Sequence, residues 1–225
     1  MTKVIGITGL AGSGKDTLAL SLSAALGDAS ILTFADPIRK TAAALGLCIY
    51  DRDKKEEEVS LRFEHFEVSL IEAMTGQLED YVGEETLCDL YASFVTILRS
   101  RDYLTTGRQD VLTISPRRFC QLLGSDAAHS VRRSLWIDVF RARVKGCRSS
   151  YVLVPDTRFK NETLVCDALL GLHRPGVAAV AAHVSEQEIM GLVAGADSQY
   201  MNDGSLNDLN RYAKAVAESI KDGAL

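Results

Sequence analysis

A chain of 225 residues with 47% hydrophobic and 24% charged side chains can bury one sizeable core, so a single domain carrying an insertion is expected. The net charge of −5 excludes a general nucleic-acid binder, which needs a basic surface to displace counterions from phosphates. Five widely spaced cysteines, Cys48, Cys88, Cys120, Cys147 and Cys166, form no C-x-x-C pair; this excludes a zinc or redox motif and predicts reduced core thiols.

The start, MTKVIGITG, runs straight into an apolar stretch with no charged leader, and no run of about 18 apolar residues follows. No membrane association and a cytoplasmic location are expected. Residues 3–8 (KVIGIT) read as a short buried strand, and residues 15–26 as a helix that Gly27 stops. A second strand is expected at 30–34 (SILTF), followed by Asp36 as N-cap, Pro37 at the first helical position and Gly46 at the helix end. Residues 51–110 open with the charge run DRDKKEEE and continue with mostly helical apolar spacing, which predicts a helical insertion without a clear strand. That insertion is a candidate dimer surface, lid support or partner site, although a charge run is more often a solvated face.

A further helical stretch starts at Ser115-Pro116 and, after a break at Gly124, runs through Trp136 to about Val144. Residues 150–154 (SYVLV) return to a buried strand, and 177–184 (VAAVAAHV) make another apolar run. Ser185 with Glu188, and more loosely Ser205 with Asp208, have the form of capping boxes that open helices. Buried strands alternating with helices predict a parallel α/β sheet covered on both faces.

The strongest motif is Gly9-Leu10-Ala11-Gly12-Ser13-Gly14-Lys15-Asp16-Thr17, which matches the phosphate loop G-x-x-x-x-G-K up to its last position. Backbone N–H groups from Ala11 to Thr17 can turn inward on a polyphosphate, the following helix adds its positive end, and Lys15 supplies a mobile cation for the β and γ phosphates. The bland reading is a glycine-rich turn with a chance lysine. Asp16 stands where Ser or Thr is usual; as a hard oxygen donor it is a candidate magnesium ligand, or else it is a first-turn acid while Thr17 serves the metal.

Ligands of open α/β sheets lie beyond the carboxyl ends of strands, so two polar clusters are candidates to face the loop. Asp36, Arg39 and Lys40 follow the second strand; Asp156, Arg158, Asn161 and Glu162 follow SYVLV. Asp36 can equally be an ordinary N-cap, and Asp156 a loop acid paired with Arg158. Residues 99 to 158 carry eleven arginines, of which two or three suffice to neutralise phosphates while the rest pair on the surface. Gln121 and Asp126 flank Gly124 and can hydrogen-bond a base, whereas Trp136 either stacks on one or fills the core. No histidine is placed as a base.

Taken together, GLAGSGKDT (9–17), FADPIRK (34–40), SPRRFCQLLGSD (115–126) with Trp136 downstream, DTRFKNE (156–162) and NDGSLNDL (202–209) resemble the bacteriophage deoxynucleoside monophosphate kinases. The resemblance implies an α/β P-loop NTPase three-layer fold with a helical insertion and lid, and ATP- and magnesium-dependent phosphorylation of a deoxynucleoside monophosphate to its diphosphate. It implies that Asp36, Arg39, Lys40, Gln121, Asp126, Trp136, Asn161 and Glu162 surround the acceptor, that the arginine-rich region 115–148 contributes a lid, and that Asn202 lies by the adenine of ATP. Lys15, Asp156, Arg158 and either Arg132 or Arg133 then carry catalysis, in the host cytoplasm if the source is a phage. The segment LLGLHRPGVAAVAAHV lacks the paired glycines expected of the family. Alternatives are a kinase for another phosphorylated metabolite, such as dephospho-coenzyme A or phosphomevalonate, and a non-catalytic ATP-binding assembly or regulatory protein.

Overall fold

The computed structural model describes residues 2–51, 53–100, 103–107, 110–177 and 184–225, with the side chains of 184–187 set aside. The first elements are β1 (Lys3–Gly9), α1 (Lys15–Leu26), β2 (Ala29–Ile31), α2 (Asp36–Ala44), β3 (Val59–Arg62), α3 (Phe63–Leu78), α4 (Glu84–Ser100), β4 (Leu104–Thr105) and β5 (Val111–Ile114). There follow α5 (Pro116–Gln121), a π-helical segment (Leu122–Ala127), α6 (Ala128–Val131), α7 (Leu135–Gly146), β6 (Tyr151–Val154) and α8 (Lys160–Thr163). The chain closes with β7 (Ala168–His173), α9 (Val184–Ala194), β8 (Ser198–Met201) and α10 (Leu206–Lys221). Two compact units emerge: Met1–Phe34 with Arg143–Leu225, and Ala35–Ala142.

The first unit is built on a five-stranded, all-parallel sheet in the order β2-β6-β1-β7-β8. Its central strand β1 is apolar and buried on both faces, as a parallel strand between helical layers must be. Ile5 and Ile7 of β1 and Leu170 and Leu172 of β7 pack with Leu18 and Leu22 of α1 and with Leu209, Val216 and Ile220 of α10. Side chains alternate along a strand, so Gly171 faces the other way; a Cβ there would stand 2.8 Å from Val193 O of α9. Helices therefore cover both faces.

The second unit has its own core, with Phe119 edge-on to Phe66 and to Phe94 at centroid distances of 6.3 and 5.1 Å. Here the helical reading of 51–110 is corrected. Helices α3 and α4 are present, but β3, β5 and β4 form an antiparallel three-stranded sheet in that order. Strands of two to four residues are too short for their period-2 pattern to stand out from helical spacing.

Four further expectations are adjusted. The second strand ends at Ile31, with one more rung from Leu32 N to Leu153 O (3.0 Å). The cap position of α2 is Ala35, already helical at φ −82°, so Asp36 occupies the first turn and Pro37 the second helical position. No break occurs at Gly124, where the helix widens into the π segment; the interruption comes at residues 132–134 instead. The five thiols are free, but Cys48 and Cys88 are exposed and the other three half-buried, so none is a fully buried core thiol.

The strand at 150–154 is found as β6, and Ser205 and Asp208 form a reciprocal capping box at α10, with Ser205 N to Asp208 Oδ2 at 2.8 Å. The apolar run 177–184 falls largely outside the described residues, as do Arg101, Arg108 and the side chain of Ser185. Sequence reading does not single out β7 or β8. Among the described residues no helix is long and apolar enough to cross a membrane.

Candidate functional site

β1 ends at Gly9 and α1 begins at Lys15, so the glycine loop sits at the carboxyl edge of the sheet, on its central strand. The strands beside β1 belong to later parts of the chain and lie on opposite sides of it, which makes this edge a topological switch point. Gly9, Gly12 and Gly14 all take a positive φ, and at the first and last of them space forbids a side chain as well. A Cβ on Gly9 would stand 2.5 Å from Leu172 O, and Gly14 takes φ +100° with its Cβ position 2.6 Å from Asn202 Nδ2.

Ser13 N donates to Leu10 O (3.1 Å), closing the loop, and Leu18 N to Gly14 O (2.9 Å) makes the first helical bond. The N–H groups of Lys15, Asp16 and Thr17 precede that bond and by helix geometry have no intrahelical acceptor. Ala11 and Gly12 are exposed at the loop tip, Ser13 is buried, and Asp16 and Thr17 are exposed on the first turn. Thr8 Oγ1 and Ser13 Oγ are buried without a hydrogen-bond partner among the described residues. Sequence reasoning passed over Thr8; its one signal is a hydroxyl at the end of an apolar strand, just ahead of the loop.

Lys15 Nζ donates to Gly9 O (2.7 Å) and Leu10 O (2.8 Å), which holds the ammonium over the start of the loop. Burial pushes its pKa down to about 8, and the Arg158 cation pushes in the same direction, while Asp16 and Asp156 act against them. Charges from distant parts of the sequence are therefore electrostatic neighbours here.

The segment after β6 is held by its own acids. Asp156 Oδ1 accepts from Phe34 N (3.1 Å), ending the run that β2 begins. Glu162 Oε2 accepts from Arg158 N (2.7 Å) and Phe159 N (3.0 Å), so this carboxylate shapes the turn that presents Arg158. Burial raises the Glu162 pKa to about 7, against those two N–H groups, which favour its charged form. Asn161 and Arg158 are exposed. Asn202, at the end of β8, is buried and donates from Nδ2 to Ser13 O (2.8 Å).

The remaining expected site residues belong to the second unit. Asp36 and Arg39 are half-buried and Lys40 is exposed along α2. Gln121 and Asp126 flank and occupy the π segment; Gln121 accepts from Arg118 Nη1 (3.4 Å), and Arg118 Nε donates to Tyr103 OH (2.7 Å). Trp136 packs against the unit's core and donates from Nε1 to Gly124 O (2.8 Å), so of its two readings the packing one describes this conformation. Arg132 and Arg133 are both exposed, and Arg132 Nε pairs with Asp138 at 3.2 Å.

The structure thus gathers the loop, Lys15, Asp16, Asp156, Arg158 and Asn202 in one unit, and Gln121, Asp126 and Trp136 around the π segment in the other. No family model matches this sequence, and no curated protein matches it significantly.

Proposed function

We propose that the chain has a P-loop NTPase fold and is a phosphotransferase that uses ATP and magnesium to phosphorylate a deoxynucleoside monophosphate to the diphosphate. The observation that carries this reading is the setting of Lys15. A part-desolvated ammonium lies over a glycine loop at the carboxyl edge of the central parallel strand, next to Asp16, Asp156 and Arg158. A desolvated cation at a helix N-terminus, beside backbone N–H groups without intrahelical acceptors, suits a polyanion.

The residues fit a polyphosphate. Gly9 and Gly14 let the loop seat closely on Leu172 O and Asn202, where a Cβ would clash, and the Thr8 and Ser13 hydroxyls are buried polar groups without partners among the described residues. They also fit magnesium, which takes one or two carboxylates and completes its shell with phosphate and water. Asp16 and Thr17 are the exposed oxygen donors on the first turn of α1. When bound, the ion neutralises charge on the phosphates.

In this reading an oxygen of the acceptor's phosphate attacks the γ phosphorus in line as the bond to the leaving diphosphate breaks, with no covalent enzyme intermediate. Lys15 and Arg158 offset the charge of the transferred group. Asp156 fixes the end of the β2 segment, and Glu162 fixes the turn that carries Arg158. The acceptor phosphate is largely ionised near neutral pH, so no histidine base is required. The choice of deoxynucleotide as acceptor rests on the motif resemblance.

The test is ADP release from ATP, with magnesium and then with chelator, against each deoxynucleoside monophosphate, its ribose counterpart, dephospho-coenzyme A and phosphomevalonate. Magnesium-dependent stimulation by one or more deoxynucleotides is expected. Stimulation by a metabolite alone reassigns the acceptor, and stimulation by none leaves an ATP-binding assembly or regulatory protein.

A further inference from the structure

We propose that Asn202 is a positioning residue that sets the phosphate loop through the Ser13 carbonyl, rather than a contact to the nucleobase. The inference rests on the loop being a polyphosphate site. Asn202 is itself anchored: its backbone N donates to His173 O (2.7 Å) at the end of β7, next to the central strand. Its side chain then reaches the loop, with Nδ2 donating to Ser13 O at 2.8 Å across 189 residues of sequence. A carbonyl only accepts, so the amide nitrogen of Asn202 must face it.

The consequence follows from peptide planarity. The C=O and N–H of one trans peptide point in opposite directions, so drawing Ser13 O toward Asn202 turns the N–H of Gly14 away from Asn202. That N–H belongs to the last residue before α1, where the helix presents its other donors without intrahelical acceptors. Gly14 and Asn202 are matched in shape as well. A Cβ on Gly14 would lie 2.6 Å from Nδ2 and 3.8 Å from Leu209 of α10, so the loop seats directly on the Asn202–Leu209 segment. The Ser205–Asp208 capping box fixes that segment at the start of α10. Only 8% of Asn202 is exposed and one of its amide protons is committed to Ser13, which leaves little of the side chain to meet an adenine.

The decisive experiment compares the full-length wild type with Asn202→Asp, which keeps the shape but loses the donor, and Asn202→Ala, which adds no charge should the carboxylate variant fail to fold. Calorimetric titrations with magnesium tripolyphosphate and with magnesium ATP give the affinities, and thermal melting reports folding. The expected result is that a folded variant loses affinity for both ligands by the same factor, about five- to tenfold for one buried hydrogen bond, with the KM for ATP raised in step and that for the acceptor unchanged. Loss of affinity for ATP alone would show a base contact and overturn the proposal. Unchanged affinities in a folded variant, or loss of folding in both variants, would reduce Asn202 to a scaffold residue and overturn it too. Wild type that binds neither ligand would instead sink the reading of the loop, and this inference with it.

Discussion

Lys15 is held in its place at a cost to the fold, because burial disfavours its charged form and lowers its pKa to about 8. A lysine so shifted binds its proton more weakly folded than unfolded, so its contribution to stability rises with pH from about 8 toward the ordinary lysine value. Lys15→Met removes the desolvated charge while keeping most of the unbranched stem. Melting of the ligand-free protein at neutral pH should rise by a few degrees, about 2–4 °C, while turnover in the ADP-release assay falls at least about a hundredfold. Glu162 titrates in the opposite sense. Its folded pKa of about 7 lies above the ordinary value of 4.5, so the folded state holds an extra proton between them and stability falls as pH rises through that window. Glu162→Gln keeps an acceptor for the Arg158 and Phe159 N–H groups and cannot ionise. The difference in urea midpoint between about pH 5 and about pH 7.5 should shrink in the variant; an unchanged difference would place the titrating group elsewhere.

Among the elements, the segment from Ser115 to Val131 runs from α-helix through a π-helical stretch and back. Ser115 caps it, accepting from Arg118 N (3.2 Å), and the widened turn at Leu122–Ala127 keeps Leu122, Leu123 and Ala127 buried while Gln121 is exposed. Trp136 Nε1 bonds Gly124 O inside that turn. Trp136→Phe keeps most of the ring and removes the donor, so urea denaturation of the full chain should show a loss of about 1 kcal/mol; no change would mean that the π turn stands without the tryptophan. The glycine in this turn reads in sequence as a break because π hydrogen bonding has no residue signature. The helix starting at Lys15, by contrast, is legible to the residue, since the left-handed Gly14 and the closing Gly27 mark its two ends.

For the molecule as a whole, two separate apolar cores underlie the two units, and the sheet core joins β1, near the start of the chain, to β6 and β7, which come far later. Leu170 of β7 is fully buried in that core. Leu170→Ala should cost about 2–5 kcal/mol, measured by denaturant unfolding. A loss below about 1 kcal/mol would show that β7 contributes little to the sheet core.

Local chemistry is what the sequence determined by itself: the strand, glycine loop and helix of residues 3–26, the buried strand at 150–154, the capping box at Ser205 and Asp208, and the phosphate-loop residue types. Each of these is encoded by neighbours within a few residues, through periodicity, capping oxygens or glycine freedom. Only the tertiary structure decided that β7 and β8 complete the sheet, that short strands pair within the second unit, and that Asn202 grips Ser13. Those outcomes depend on strand pairing and burial between groups distant along the chain, and on a single amide meeting a backbone carbonyl far away in sequence, for which residue spacing carries no signal.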